Sequence, residues 1–245
     1  MHSSVSRRKS VSHRRFKHMQ TIRFSAEMLK AIALLAATKD RRSYLNGVLV
    51  EARKHETRLV ASCGQKLGIV RVSIENAVDH DVSLIMPMSV LRQIKVRAQR
   101  GLPVILVIDG DNHYLQIPGH GLQYAFKPIA DKYVDYARTV PGEFSGTAAQ
   151  FDPQHLMDFS RCAAVLTGKP GVPRVTANGD KAALVTLNGY DDFVGIVMPH
   201  RFMGTDKPAD ISWFKRVRLP APGQDDVAPS NAARRGNRPA IASAR

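Results

Sequence analysis

The chain has 245 residues, 44% of them hydrophobic, enough for a real core in one large domain or two small ones. No apolar run approaches the ~18 residues of a membrane span, and the first 20 residues carry no apolar stretch, so they do not read as a secretory signal. The net charge is +15 and is concentrated at the ends: residues 1–20 hold six Lys or Arg and no acid, residues 203–245 hold eight against four, and residues 21–202 hold 22 against 17.

Basic ends suit a polyanionic partner, nucleic acid above all; a solvated tail that aids solubility is the plainer reading. The two cysteines, Cys63 and Cys162, lie in separate segments with no metal-ligand spacing. They read as reduced thiols in a cytoplasmic protein without a metal or other cofactor.

Residues 1–19 have almost nothing to pack and are expected to form a disordered basic tail. The chain then repeats one pattern three times: a strand, an amphipathic helix and three more strands. "QTIRFS" leads to a helix predicted from Ala26 to about Lys39, capped by Ser25, with Met28, Leu29, Ile32, Leu35 and Ala36 on one stripe. The strands "YLNGVLVEAR", "TRLVASC" and "LGIVRVS" follow. "VSLIMP" opens the second unit, with a helix predicted from about Ser89 to Arg100 and Leu91, Ile94 and Ala98 inward. Its strands are "PVILVIDG", "HYLQIPG" and "LQYAFKPIA", with a hairpin turn at "DGDN".

"GTAAQF" opens the third unit as its leading strand. Asp152 caps the helix, Pro153 takes its first position, and Leu156, Phe159, Ala163 and Leu166 line its inner face. "VPRVTANG", "AALVTLN" and "FVGIVMP" complete it, with Asp191 and Asp192 expected in a solvated hairpin turn. Residues 203–245 read as a flexible basic tail, apart from the short apolar segment "DISWF" at 210–214.

The fold class is therefore α+β, built of βαβββ units. Two units make one compact domain, residues 20–141. The third, residues 142–202, has no partner in the chain. A sheet edge and an apolar helix face should be left over, and self-association follows as an expectation.

The residues resemble a known family, the β-subunit sliding clamp of bacterial DNA polymerase III. "RRSYLNGVLVE" (Arg41 to Glu51) is similar to the family's R-x-Y-L-N-G-x-L-x-E strand, and "TRLVASCGQKLG" (Thr57 to Gly68) to the stretch after it. "KYVDYARTVP" (Lys132 to Pro141) resembles the junction between its second and third domains. "FDPQHLMDFSRCA" and "IVMPHRF" resemble parts of the third domain, the latter its end. These matches run in the family's order over about 20–202. The family's first domain and the first half of its third have no counterpart. Four copies would supply a ring's twelve units if half-domains pair across subunits.

The resemblance implies a pocket that docks a short apolar peptide of DNA polymerase or other clamp-binding proteins. It carries that pocket onto Leu45, Ser62, Gly64, Gln65, Lys66, Leu67, Arg138, Thr139, Ile196, Val197, Met198, Pro199, His200, Arg201 and Phe202. Read without it, Val197 and Met198 are plain core at a strand end. Cys63, Gln65, Val134 and His200 depart from the family pattern, so the preferred peptide should differ. "DISWF" has the shape of such a peptide and is expected to dock in the chain's own pocket or a neighbour's; a bland apolar motif is the alternative.

The resemblance also implies non-specific contact with double-stranded DNA through the helices that line a clamp's inner surface. Arg92, Lys95, Arg97 and Arg100 cluster on one side of the second helix, with Lys39, Arg41 and Arg42 at the end of the first and Arg161 on the third. No catalytic motif is present, so an enzyme is not expected. The rival readings are a peptide-binding module or decoy that never encircles DNA, and a DNA-binding protein whose clamp fold is residual.

Overall fold

The computed structural model describes residues 19–94 and 101–200. They belong to one compact unit, Met1–Arg201. The two expected tails apart from Met19, with "DISWF", and Lys95, Arg97, Arg100, Arg201 and Phe202 lie outside the described residues.

The first unit is strand β1 (Gln20–Ser25), helix α1 (Ala26–Ala33), and strands β2 (Gly47–Arg53), β3 (Glu56–Ser62) and β4 (Lys66–Ser73). The second is β5 (Val82–Pro87), the single turn α2 (Met88–Leu91), β6 (Pro103–Asp109), β7 (Asn112–Ile117) and β8 (Leu122–Phe126). The third has α3 (Pro153–Thr167), β9 (Pro173–Thr176), β10 (Ala183–Leu187) and β11 (Tyr190–Val197).

The first two units exchange their leading strands. β1 crosses to β6, giving the four-stranded order β1-β6-β7-β8, while β5 crosses to β2. The third unit then extends the second sheet, because β11 pairs antiparallel with β4, giving β5-β2-β3-β4-β11-β10-β9.

The main core lies between the sheets and the helices. It joins Ile22, Phe24, Ile32 and Leu35 to Val48, Leu59, Leu106, Phe159, Phe193 and Val197. Gly68 and Gly195 face each other across β4 and β11. A Cβ on Gly68 would meet Ile32 of α1 at 3.1 Å and Leu35, just past that helix, at 2.2 Å, and one on Gly195 would meet Phe159 of α3 at 2.7 Å. Both helices thus press onto the sheet where it has no side chains. A smaller core on the opposite face gathers Leu49, Val60, Leu67, Ile85 and Ile196 under Tyr133, with Val134, Tyr136 and Val140 packed against them.

Several sequence expectations are corrected. α1 stops at Ala33 and its exit tightens into i→i−3 bonds, Leu35 N–H to the Ile32 carbonyl at 3.0 Å among them. The Ala37 N–H then leaves the helix axis for the carbonyls of Leu45 (3.0 Å) and Ser62 (3.2 Å). Lys39, in a left-handed conformation at φ 59°, and Arg41 and Arg42 therefore lie in a loop and not on a helix end.

α2 begins at Met88 and makes one turn, ended by i→i−3 bonds from Gln93 and Ile94, so Arg92 follows the helix. Ser43–Asn46 is a 3-10 turn rather than the start of a strand. Asp191 and Asp192 stand in β11, and Asp192 pairs with Arg71 at 2.8 Å.

"GTAAQF" forms no strand. In the complete units the leading strand hydrogen-bonds to the other unit's sheet, and the third unit has no such neighbour among the described residues. Nor is the inner face of α3 left over. Phe159, Cys162, Ala163 and Leu166 are buried in the main core beside α1, while Leu156 is only half-buried and outside that core.

Candidate partner-binding groove and basic helix side

The groove begins at the β3–β4 turn. The Ser62 hydroxyl donates to the Lys66 carbonyl (2.9 Å) and accepts from the Gly64 N–H (3.0 Å), while the Cys63 N–H donates to the same carbonyl (3.1 Å). Gly64 holds φ 90°, a left-handed conformation that disfavours a side chain. The Arg42 guanidinium lies directly against it, since a Cβ there would come within 2.7 Å of Nη2. Asp40 fixes that guanidinium with two bonds, Nε to Oδ1 at 3.0 Å and Nη2 to Oδ2 at 2.9 Å. The same pairing holds the Asp40 carboxyl down to about 2. Arg42, expected on a DNA-facing helix, therefore belongs to the rim of this turn.

The far wall is the end of β11. Ile196 lies opposite Leu67 and Val197 opposite Lys66, and the Met198 N–H adds one more bond to the Gln65 carbonyl at 2.8 Å. Pro199 has no N–H, so the ladder stops. The His200 N–H turns instead to the Gln150 carbonyl at 2.7 Å, in the segment that leads into α3. Between these walls is an open groove of about 630 Å³ lined by Gln65, Met198, Pro199, His200, Asp152 and His155.

Of the expected pocket residues, Gln65, Met198, Pro199 and His200 line this groove, and Ser62 and Gly64 shape its rim. Leu45, Leu67, Ile196 and Val197 do not line it and are buried in the cores. Lys66 is 8% exposed, and its Nζ spans from β4 to Asp158 of α3 at 2.9 Å, a strut between sheet and helix. Arg138 and Thr139 sit on a 3-10 turn, Tyr136–Thr139, and are exposed. Arg138 pairs with Asp135 at 3.0 Å, and the Thr139 hydroxyl donates to the Tyr136 carbonyl at 2.7 Å.

Sequence reasoning missed Asp152 and His155 as lining residues. The available signal was the three-residue spacing of Asp152, His155 and Asp158, which puts them near one side of α3. His155 Nδ1 is buried without a hydrogen-bond partner among the described residues. Burial, then the Lys66 charge, lower the His155 pKa from its ordinary value, against the pull of Asp152 and Asp158.

The three helices form one layer, since α1 contacts both α2 and α3. Arg92 is exposed, lines a small cleft with Lys30 between α1 and α2, and reaches the Thr38 hydroxyl at 3.4 Å. Arg161 is exposed on α3 and pairs with Asp158 at 3.2 Å. Lys39 and Arg41 are exposed, with no ion pair among the described residues.

Two crossed βαβββ units, their sheet continued by a third, define the sliding-clamp fold. Among solved structures, the chain is similar to the DNA polymerase sliding clamp of Pseudomonas aeruginosa, with TM-score 0.58 and 16% identity over 75% of this chain and 66% of that one. It is likewise similar to the DNA polymerase III β subunit of Thermotoga maritima, with TM-score 0.58 and 15% identity over the same shares. The chain thus spans just under two thirds of the length of these clamps. No protein-family model and no curated protein sequence matches it. No helix among the described residues is long and apolar enough to cross a membrane.

Proposed function

We propose that the chain is a shortened, clamp-like accessory protein of DNA replication or repair. It binds and does not catalyse, acts in the cytoplasm as a homo-oligomer, and is built of a complete domain (20–141) and a half-domain (142–202). It docks a short apolar peptide of a polymerase or other clamp-binding protein at the Met198–Pro199 groove. Its helix side holds double-stranded DNA through phosphate contacts that carry no sequence information, as a sliding contact requires.

The observation that carries this reading is the groove itself. It opens where the complete domain meets the third unit, and three of the residues that line it, Met198, Pro199 and His200, belong to the motif that resembles the clamp's end. Met198 offers an adaptable apolar contact. His155 and Gln65 supply polar contacts beside it, so the favoured peptide should pair an apolar anchor with a hydrogen-bonding residue.

The test is titration of a fluorescent Q-L-S-L-F peptide into the full-length protein. Saturable binding that is lost in Met198→Asp is expected. If Met198→Asp binds as the parent protein does, the groove is not the site. Tighter binding in Trp213→Ala would show that the 210–214 segment competes for the groove.

A further inference from the structure

The third unit lacks one leading strand and holds one spare, and the complete units show how such a deficit is met. Two residues before α1 and α2 stand Phe24 and Met86, opposite Val104 of β6 and Val48 of β2 in the other unit's sheet. Both are buried, at 3% and 0% exposure. The equivalent residue before α3 is Phe151, which is half-buried. Neither Phe151 nor Ala149 has a backbone hydrogen-bond partner among the described residues. β9, which stands to β10 as β6 stands to β7, ends its sheet with an edge that no strand covers among the described residues. Unpaired strand backbone of both kinds in one unit is a template for strand addition.

The helices point the same way. α1 and α2 share a cleft lined by Ala26, Leu29 and Lys30 on one side and Met88, Leu91 and Arg92 on the other. Counted from the helix start, the α3 residues at these positions are Pro153, Leu156 and Met157. Met157 is 49% exposed. Met157 thus stands in the open, with half-buried Leu156 beside it, at the place where, in the complete domain, one unit's helix meets the other's.

We infer that a second copy of this chain completes the third unit, each copy laying Ala148–Phe151 along β9 of the other. The register keeps Phe151 on the face of β9 that packs against the core, as Phe24 and Met86 stand opposite the core residues Val104 and Val48, but opposite the first residue of the strand rather than the second. Phe151 lies opposite Pro173 of the second copy, Gln150 opposite Arg174, Ala149 opposite Val175 and Ala148 opposite Thr176, and the two α3 helices meet through Leu156 and Met157. Pro173 removes one donor from this ladder; Arg174, Val175 and Thr176 keep theirs. The added segment carries no charge, and Asp152 falls diagonally across from Arg174 of the second copy, so the charges complement each other. The joint is self-complementary, as an isologous two-fold contact must be. It rests on the fold and not on the peptide groove or on DNA contact, so it can fail without them and they without it.

The test uses full-length protein and native mass. The parent protein should be an even-numbered oligomer at micromolar concentration. Ala149→Pro combined with Met157→Glu should halve its mass, with circular dichroism and melting temperature retained, because neither residue is in the core. Ala148→Cys with Thr176→Cys, in a Cys63→Ser background, should give a disulfide-linked dimer on mild oxidation, since opposed non-hydrogen-bonded residues sit about 4.5 Å apart at Cα. A monomeric parent, an unchanged mass in the double variant, or no cross-link at the 148–176 pair would each overturn the inference.

Discussion

Pro199 and His155 carry most of what the groove can do. Pro199 stops the β4–β11 ladder one bond past the strand and frees the chain to cross toward α3. That much was legible in the Met-Pro step. His155 was not, because a lone histidine on a helix says nothing of its neighbours until Lys66 is seen crossing beneath it to Asp158. With its pKa lowered by burial and the Lys66 charge, His155 stays neutral further into acid than a free imidazole. The unfolded chain then takes up that proton first. The contribution to stability is therefore complete above the ordinary value of 6.5 and is lost as pH falls from there through the lower folded value. An NMR titration of the His155 ring should give a midpoint below 6.5; a midpoint at or above it would remove this account of the groove.

Among the elements, the strands and α3 were read more closely than α1 and α2. Alternating apolar residues marked β1 through β8, since a sheet with one buried face writes its period into the sequence, but the reading began β2 too early, at Tyr44, and carried β8 past Phe126 to Ala130. The lengths of α1 and α2 could not be read, because their ends are set by the Ala37 N–H bonding across to Leu45 and Ser62 and by i→i−3 closure, which leave no sequence period. The leading segment of the third unit shows the limit most clearly: "GTAAQF" has the composition of a strand and lacks only a neighbour.

The glycine pair at Gly68 and Gly195 is the element-scale fact with the sharpest consequence. Neither position looks special in the sequence, yet each lets a helix approach the sheet. Gly195→Val should cost at least ~1–3 kcal/mol by overpacking against Phe159, Phe193 and Val185, read as a lower denaturation midpoint with an unchanged slope. A neutral Gly195→Val would mean that α3 is free to move off the sheet.

For the molecule as a whole, the basic helix side is narrower than the charge count suggests. Arg42 is held by Asp40 and Arg161 by Asp158, which leaves Lys39, Arg41 and Arg92 as described cations without a carboxylate partner. Reversing charge at Arg41 and Arg92 together should weaken retention of duplex DNA and flatten the dependence of log K on log salt by about two units, since each phosphate contact contributes roughly one. An unchanged slope would assign DNA contact to the chain ends. Composition located the excess charge at those ends, but it could not show which inner cations were already paired.

Two copies joined through the edge of β9 would also fix what kind of ring this chain could form. A two-fold joint has its axis running through the joint itself. The axis of a ring runs through the hole, so the joint's axis must lie across it. Copies related that way are turned over with respect to each other. A ring closed through β9 would have no front and no back, and would present the groove of one copy upstream and that of its mate downstream. A partner protein arriving from either direction along the duplex would find a place to dock.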